Sequence, residues 1–336
     1  MNRALLARQL LLERASLPID EAVEQVGGLQ TQYAPSGYVG LWTRLTGFQR
    51  DDLTRALEDR RVVQATLMRT TIHIVSRGEF WRYAMGVRQA RRAWALRIPA
   101  TPAGSDGEAA MVARAEAMRV ALADGPKSVK ELGQLGAGFV GNSSLWVDIV
   151  RVPPSGTWQR RRADLLALAD DWVGPCDATE GEGLTHLVRA YLRAFGPAPW
   201  RDIATWAGIS VDEAKAGGAS LALTAYADED GRPMIDLEGS DLPDPDTPAP
   251  VRFLPHWDAN LLVHARRTGI LPEPFRPRVF STKTPFSVGV VLVDGYAAGA
   301  WSVREGRVEV TPFRELEGGV RDDVEAERAA LEAFHA

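Results

Sequence analysis

Gln30-Thr31-Gln32 is the stretch whose residue types and spacing could do chemistry without a charge. A glutamine amide is neutral, so neither Gln30 nor Gln32 can be a strong general base. Each carries a carbonyl acceptor and an NH2 donor able to hold a water or a sugar oxygen. Residues i and i+2 share a face in extended backbone and diverge by about 200° on a helix, so the amides converge only if the chain is extended or irregular there. Pro35 disfavours helical backbone at Ala34 and argues locally for such a chain. On pattern alone, capping a helix end or lining a solvated groove is the commoner use of such a pair.

Other candidates stand further along. Arg160-Arg161-Arg162 sits in a loop between two strand-like runs, where guanidinium groups suit phosphate. Arg69 and His73 lie in or beside a β-rich hairpin. His73 alternates with Ile72 and Ile74 and points opposite to them, either towards a ligand or as a satisfied strand residue. Tyr33 and Tyr38 could stack on bases or pack in a core. His256, Asp258 and His264 are close in sequence, but their spacing matches no zinc pattern and Asp258 reads as a helix N-cap, so no metal is expected. The single cysteine, Cys176, excludes an intrachain disulfide framework. No phosphate-binding glycine loop, nucleophile elbow or kinase signature is present, and no cofactor is expected.

The elements that must position these residues read as helices followed by hairpins, three times over. Residues 3–14 carry leucines at helical spacing, a short helix precedes Gly27-Gly28, and residues 52–60 continue the helical pattern. Residues 62–68 and 70–75 change to β-rich runs, and residues 79–97 resume as a long helix with Arg82, Arg88, Arg91, Arg92 and Arg97 on its exposed side. Helices, the Ser128-capped segment, an uncertain element at 138–146 and strands around the basic loop make a second unit. Helices from 184 onwards and a hairpin turning at residues 228–231 make a third. After a Pro- and Asp-rich linker at 241–250 come a short helix at 260–267, strands joined by Asp294-Gly295, and a closing helix at 320–334. The expectation is an α+β chain of tandem winged-helix units, with boundaries 1–100, 101–173 and 174–336 and a β-rich C-terminal section.

Composition sets the class. With 336 residues, 45% hydrophobic and 25% charged, the chain suits a globular protein with a sizeable core. Its net charge of −5 is unevenly spread: residues 1–100 carry 15 Lys+Arg against 9 Asp+Glu, and residues 173–336 carry 16 against 26. A basic N-terminal stretch on an otherwise acidic chain is the layout of a polyanion-binding face. No run of about 18 apolar residues appears and residues 1–14 do not read as a signal peptide, so a cytoplasmic protein acting at the nucleoid is expected. No heptad helix suggests a dimer, and a monomer is expected.

Gly28-Leu29-Gln30-Thr31-Gln32 with Trp42-Thr43-Arg44-Leu45, followed by Leu67-Met68-Arg69-Thr70-Thr71-Ile72-His73-Ile74-Val75, resembles the winged helix DNA-binding domain-containing superfamily that includes the AlkZ-like and YcaQ-like DNA glycosylases. Val152-Pro153-Pro154-Ser155-Gly156-Thr157-Trp158, residues 253–266, and Val291-Leu292-Val293-Asp294-Gly295 leading to Trp301 match in order, so the resemblance spans nearly the whole chain. It implies tandem winged helices in a C-shaped arrangement around a channel for double-stranded DNA. It also implies a glutamine-any-glutamine motif for glycosidic hydrolysis, here Gln30 and Gln32, where YcaQ-like members carry aspartate second. Thr31 departs from the hydrophobic centre usual in that motif. The Asp294-Gly295 hairpin falls where AlkZ-like proteins approach DNA. The implied activity is hydrolysis of alkylated N7 or N3 purines, with crosslinks as a further substrate. The rival readings are a non-enzymatic DNA-binding regulator and a degenerate member that has kept only the fold.

Overall fold

Helix α1 (Asn2–Arg8) is shorter than its leucine spacing suggests. Leu10 enters the left-handed region at φ 55°, Leu11 N–H reaches back to Leu6 O at 2.8 Å, and Leu10 N–H reaches Ala7 O at 3.0 Å. This is a Schellman-type end with leucine where glycine is usual. The helix expected over residues 3–14 therefore stops at Arg8. The structure is a computed structural model and describes residues 1–97, 107–134, 142–262, 267–280 and 287–336.

Helix α2 (Ile19–Gln25), strand β1 (Leu29–Gln30), helices α3 (Pro35–Trp42) and α4 (Arg50–Glu58), strands β2 (Val62–Thr66) and β3 (Ile72–Ser76), and the long helix α5 (Phe80–Arg97) follow, with β1 and α3 added to the expected elements. Next come α6 (Glu108–Leu122), β4 (Lys127–Ser128), α7 (Val129–Gly133), β5 (Ile149–Arg151), β6 (Leu165–Leu168) and α8 (Ala169–Trp172). Ser128 caps α7 through a reciprocal box with Glu131. Of the uncertain element at 138–146, residues Asn142–Leu145 form a 3-10 turn and 138–141 lie outside the described residues. Helices α9 (Glu180–Phe195), α10 (Trp200–Ala207) and α11 (Val211–Gly218) lead to the hairpin β7 (Leu223–Ala227) and β8 (Pro233–Leu237). The chain ends with β9 (Arg252–Leu254), α12 (Arg276–Val279), β10 (Gly289–Val293), β11 (Tyr296–Arg304), β12 (Arg307–Pro312) and α13 (Gly318–His335). The short helix expected at 260–267 is a single 3-10 turn, Ala259–Leu261, and 263–266 lie outside the described residues.

The hairpins of the first two stretches merge into one antiparallel sheet in the order β1-β3-β2-β5-β6-β4, joined where Gln64 pairs with Arg151. Strands β12-β11-β10-β9 make a second sheet and β7-β8 a third. Helix α5 crosses α9 at a glycine pair, because a Cβ on Gly86 would stand 2.6 Å from Gly183 O. Around this crossing, Val63, Val75 and Val150 pack on Tyr83, Leu187, Tyr191 and Trp206.

A second core packs α2, α3 and α4 on the C-terminal sheet and α13, with Tyr38, Leu41 and Leu53 against Phe253, Trp301 and Leu331. Two buried ion pairs pin distant parts of the chain together. Arg44 meets Asp258 at 2.9 Å and Arg8 meets Asp236 at 2.6 Å. Removing one partner of such a pair strands a buried charge, at about 3–5 kcal/mol. The consequence for function is placement: the C-terminal sheet lies beside the segment that carries the two glutamines.

Candidate active site

Strand β1 is the edge of the six-stranded sheet, with Leu29 opposite Ile74 and Gln30 opposite His73, and Thr31 N–H continues the ladder to Ile72 O at 2.8 Å. Extended backbone alternates side chains. Leu29 and Thr31 are accordingly buried, while Gln30 is half-buried and Gln32 exposed. The strand pairing causes this, and Pro35 does not, since Ala34 is helical at φ −51°, ψ −43° and caps α3.

Both amide orientations follow from obligate donors. Arg69 Nη2 donates to Gln30 Oε1 at 2.8 Å, and the backbone N–H of Ile72 donates to Gln32 Oε1 at 3.2 Å. Neither partner can accept, so each glutamine turns its carbonyl to the protein and its NH2 away. Neither Nε2 has a protein partner among the described residues. Thr31, between them, accepts from Gln64 Nε2 at 3.0 Å. Gln64 is itself buried, and its carbonyl abuts Gly156 of the loop between β5 and β6 so closely that a Cβ there would collide with it.

Arg69 is held in the left-handed region at φ 52°, where the loop between β2 and β3 packs on Gly208 at the end of α10. Its guanidinium also donates to Trp206 O and makes no ion pair among the described residues. Burial, opposed by Tyr191, lowers its pKa to about 10, so it stays cationic near neutral pH. His73 is buried, with Nδ1–H donating to Thr71 O at 3.0 Å. Burial first, then the Arg69 charge, lowers its pKa to about 3. A neutral imidazole sealed in the sheet cannot touch DNA, which corrects the channel-facing expectation for His73.

Tyr38 is corrected as well. It is fully buried on α3, bonded to Thr54 Oγ1 at 3.0 Å and edge-on to Trp158 at 5.5 Å, so it supports the loop and offers no stacking face. Tyr33 is 37% exposed. Of the three loop arginines, Arg160 and Arg162 share Asp164 at 3.0 and 3.4 Å. Arg161 instead donates to Tyr33 OH at 3.1 Å and lies 5.9 Å from the Tyr33 ring centroid, so this arginine links the loop to the glutamine segment.

Helix α5 hides one of its expected surface arginines. Arg91 is buried and donates to Thr66 O, and Arg88 pairs with Asp148 at 2.7 Å. Asp294 and Gly295 form a tight turn at φ 47° and 77°, but α1 occupies it. Arg3 meets the Asp294 carboxylate at 2.5 Å, and Asn2 donates to Gly295 O at 3.0 Å. It is a docked structural turn, and its carboxylate would repel phosphate. The Glu305-Gly306 turn between β11 and β12, at φ 49° and 79°, serves the strand that lies by Tyr33, and sequence reasoning missed it despite its hairpin signature.

His256 lies 5.7 Å from Tyr33, ring to ring, and its Nδ1 engages Ser287 O at 2.6 Å. Asp258 is committed to Arg44 and Asn260, and His264 lies outside the described residues. Among the described residues no group of three His, Cys, Asp or Glu could hold a metal, and no helix is long and apolar enough to cross a membrane. Sequence reasoning did not single out Gln64 or His335, and named Trp301 only as the end of a matching run. Gln64 is a polar residue in an apolar strand run, which was the one available sign.

An α+β chain with two uncharged amides at and just beyond a sheet edge, beside a cation that makes no ion pair among the described residues and an arginine-bearing loop, has the make-up of a protein that handles a polyanion. The family DNA glycosylase AlkZ-like matches residues 23–334, and the chain belongs to it. It is a DNA glycosylase, a DNA-binding hydrolase of DNA repair. The solved structure of Streptomyces sahachiroi DNA glycosylase AlkZ shares the fold, with a TM-score of 0.82 at 20% identity, over 99% of this chain and 96% of that one. Comparison with curated proteins gives no match.

Proposed function

We propose that this glycosylase hydrolyses the N-glycosidic bond of N7- or N3-alkylated purines in double-stranded DNA, with Gln30 and Gln32 as the catalytic pair. The observation that carries the reading is that Gln30, at the end of β1, and Gln32, two residues further on, each have the carbonyl held by a protein donor and the NH2 without a protein partner among the described residues. Glycosidases that act on neutral leaving groups use paired carboxylates. An alkylated purine already carries positive charge, so the glycosidic bond breaks with its electron pair moving onto the base and leaves an oxocarbenium-like sugar. Water then attacks the anomeric carbon and loses a proton to solvent. What remains for the enzyme is orientation and tolerance of the sugar charge, worth about 10²–10⁴ in rate.

The two amides divide this work. Arg69 polarises Gln30, making its N–H a stronger donor towards a phosphate or sugar oxygen. Gln32 Oε1 receives a single neutral N–H and keeps one lone pair, so the edge of that amide can accept from the attacking water while its NH2 meets a sugar oxygen. Arg69, cationic and without a counter-ion among the described residues, favours a phosphate nearby. Tyr33 and Arg161 extend the contact to the lesion strand, with Arg160 and Arg162 on the flanking backbone. The recurring order of helices and hairpins supports tandem winged helices in a C-shaped arrangement around the duplex, acting as a monomer at the nucleoid. Crosslinks joined through N7 of purines have the same cationic leaving group and fall within the same chemistry.

The test is a duplex carrying one N7-methylguanine, incubated with the protein and then treated with alkali. The expected result is strand breakage at the lesion and none in unmodified duplex. Tight binding to one unmodified sequence with no base release would favour a regulator instead.

A further inference from the structure

A cavity of about 340 Å³ lies between the glutamine segment, the loop that carries Arg161 and the C-terminal sheet. Its walls are largely rings. Tyr33 meets His256 edge to face at 5.7 Å, His256 meets Trp301 at 6.0 Å, and Trp301 meets His335 at 6.2 Å. Trp301 is fixed by Nε1–H donating to Leu254 O at 2.8 Å, and Gly289 beside it leaves no room even for a methyl group.

Core packing would account for the rings but not for the polar atoms among them. Ser36 Oγ, on a residue 4% exposed, and His335 Nε2 are closed to solvent and have no hydrogen-bond partner among the described residues, and both residues belong to the cavity wall. Buried polar groups in native proteins are nearly always paired. His256 adds a third group: Nδ1–H is committed to Ser287 O, so Nε2 is the ring nitrogen left for a ligand. A slot of this volume with aromatic walls and a few polar residues among them suits a planar heterocycle. Its position selects which one, because Tyr33 directly follows Gln32 in the chain.

We propose that this cavity receives the purine base as it leaves the sugar, with Tyr33 and Trp301 as its apolar walls and Ser36, His256 and His335 meeting its polar edge. The inference rests on the glycosylase reading above and goes beyond it by placing the departing base. Charge favours the product. The base is cationic before the bond breaks and neutral afterwards, while the cavity lining holds Arg161 and no carboxylate. Burial, then the charges of Arg50 and Arg161, lowers the His335 pKa to about 4 and keeps that ring neutral. A slot that binds the neutral base better than the cationic nucleotide assists bond breaking, because its contacts strengthen along the reaction.

The test is calorimetric titration of the full chain with free 7-methylguanine, with ribose 5-phosphate as the control and alkylated-DNA cleavage measured in parallel. The wild type is expected to bind the base and not the sugar phosphate. Val303→Phe, which adds a ring at a partly exposed lining position, is expected to weaken base binding at least about tenfold, and Ser36→Ala about threefold. Unchanged thermal unfolding of Val303→Phe would show that the loss is local. The assignment is overturned if the wild type does not bind 7-methylguanine, if Val303→Phe binds it equally well, or if ribose 5-phosphate binds in preference. A protein that cleaves alkylated DNA without binding the free base loses the pocket and keeps the activity. A protein that binds the base but releases none from DNA loses the activity and keeps the pocket.

Discussion

Arg69 Nη2 lies 2.8 Å from Gln30 Oε1, so one glutamine of the pair is bound to a cation while the other, Gln32, is bound to a backbone N–H. The cation polarises Gln30 without adding a titratable base. Arg69→Met keeps much of the side chain's bulk and removes the charge. Single-turnover base release is expected to slow by about 10- to 100-fold, the scale of losing one preorganised charge-assisted interaction. Duplex affinity should fall less, because the remaining arginines still meet the backbone. Equal loss of rate and affinity would reassign Arg69 to binding alone.

Thr31 and Gln64 form a buried pair beneath the two catalytic candidates. Thr31→Val alone leaves the Gln64 amide without its acceptor, a cost of about 1–3 kcal/mol, whereas Thr31→Val with Gln64→Leu replaces both polar partners and should recover most of it. Thermal unfolding of the two single variants and the double variant closes the cycle. Additive losses would mean that the hydrogen bond contributes nothing.

The loop arginines should separate by experiment as they separate by partner. Arg161→Ala removes the hydrogen bond to Tyr33 and is expected to reduce base release. Arg160→Ala with Arg162→Ala frees Asp164 and should weaken binding to any duplex, lowering the slope of log K against log salt by about 1 for each arginine–phosphate pairing removed. An Arg161→Ala variant with wild-type release would remove that residue from the site.

Much of this arrangement was legible in residue pattern. Gln30 and Gln32 can converge only on extended backbone, and the β-rich run at 70–75, observed as β3 (Ile72–Ser76), supplies the partner strand. The capping boxes at Ser128 and Ser210 and the hairpin at 228–231 are local devices, and each appears where its residues imply. What escaped was non-local. Nothing near Leu10 announces a left-handed residue, because leucine replaces the glycine that marks such an end. The joining of β2 to β5 at Gln64 and Arg151 spans most of a hundred residues and merges two hairpins that read as separate. Tyr38 and Arg91 have types that suit surface or interior, and the packing on Trp158 and the hydrogen bond to the Thr66 carbonyl hold them in the interior. Arg69, which reaches Gln30, takes a positive φ that favours glycine elsewhere and that its residue type does not announce.

Acid should weaken the fold through its buried histidines. Burial lowers the pKa of His73 to about 3, with the Arg69 charge adding to it, and burial and Arg193 bring His186 to about 3. Both values lie below the 6.5 of the unfolded chain, so between about pH 6.5 and 3 the unfolded state binds the extra protons. The stability these rings contribute is complete above pH 6.5 and is lost as the pH falls, at a slope approaching about 1.4 kcal/mol per pH unit for each ring. Glu79, raised by burial, opposes the trend. His73→Asn should therefore show a shallower fall in unfolding free energy between pH 6.5 and 4.5 than the wild type. Identical slopes would mean that His73 titrates normally.

The most direct measurement is single-turnover release of N7-methylguanine from duplex DNA by the wild type, by Gln30→Ala with Gln32→Ala, and by buffer alone. The wild type is expected to exceed buffer by orders of magnitude, and the double variant to lose at least about 10²-fold while binding the duplex as before. Release by the double variant at the wild-type rate would contradict catalysis by the amide pair.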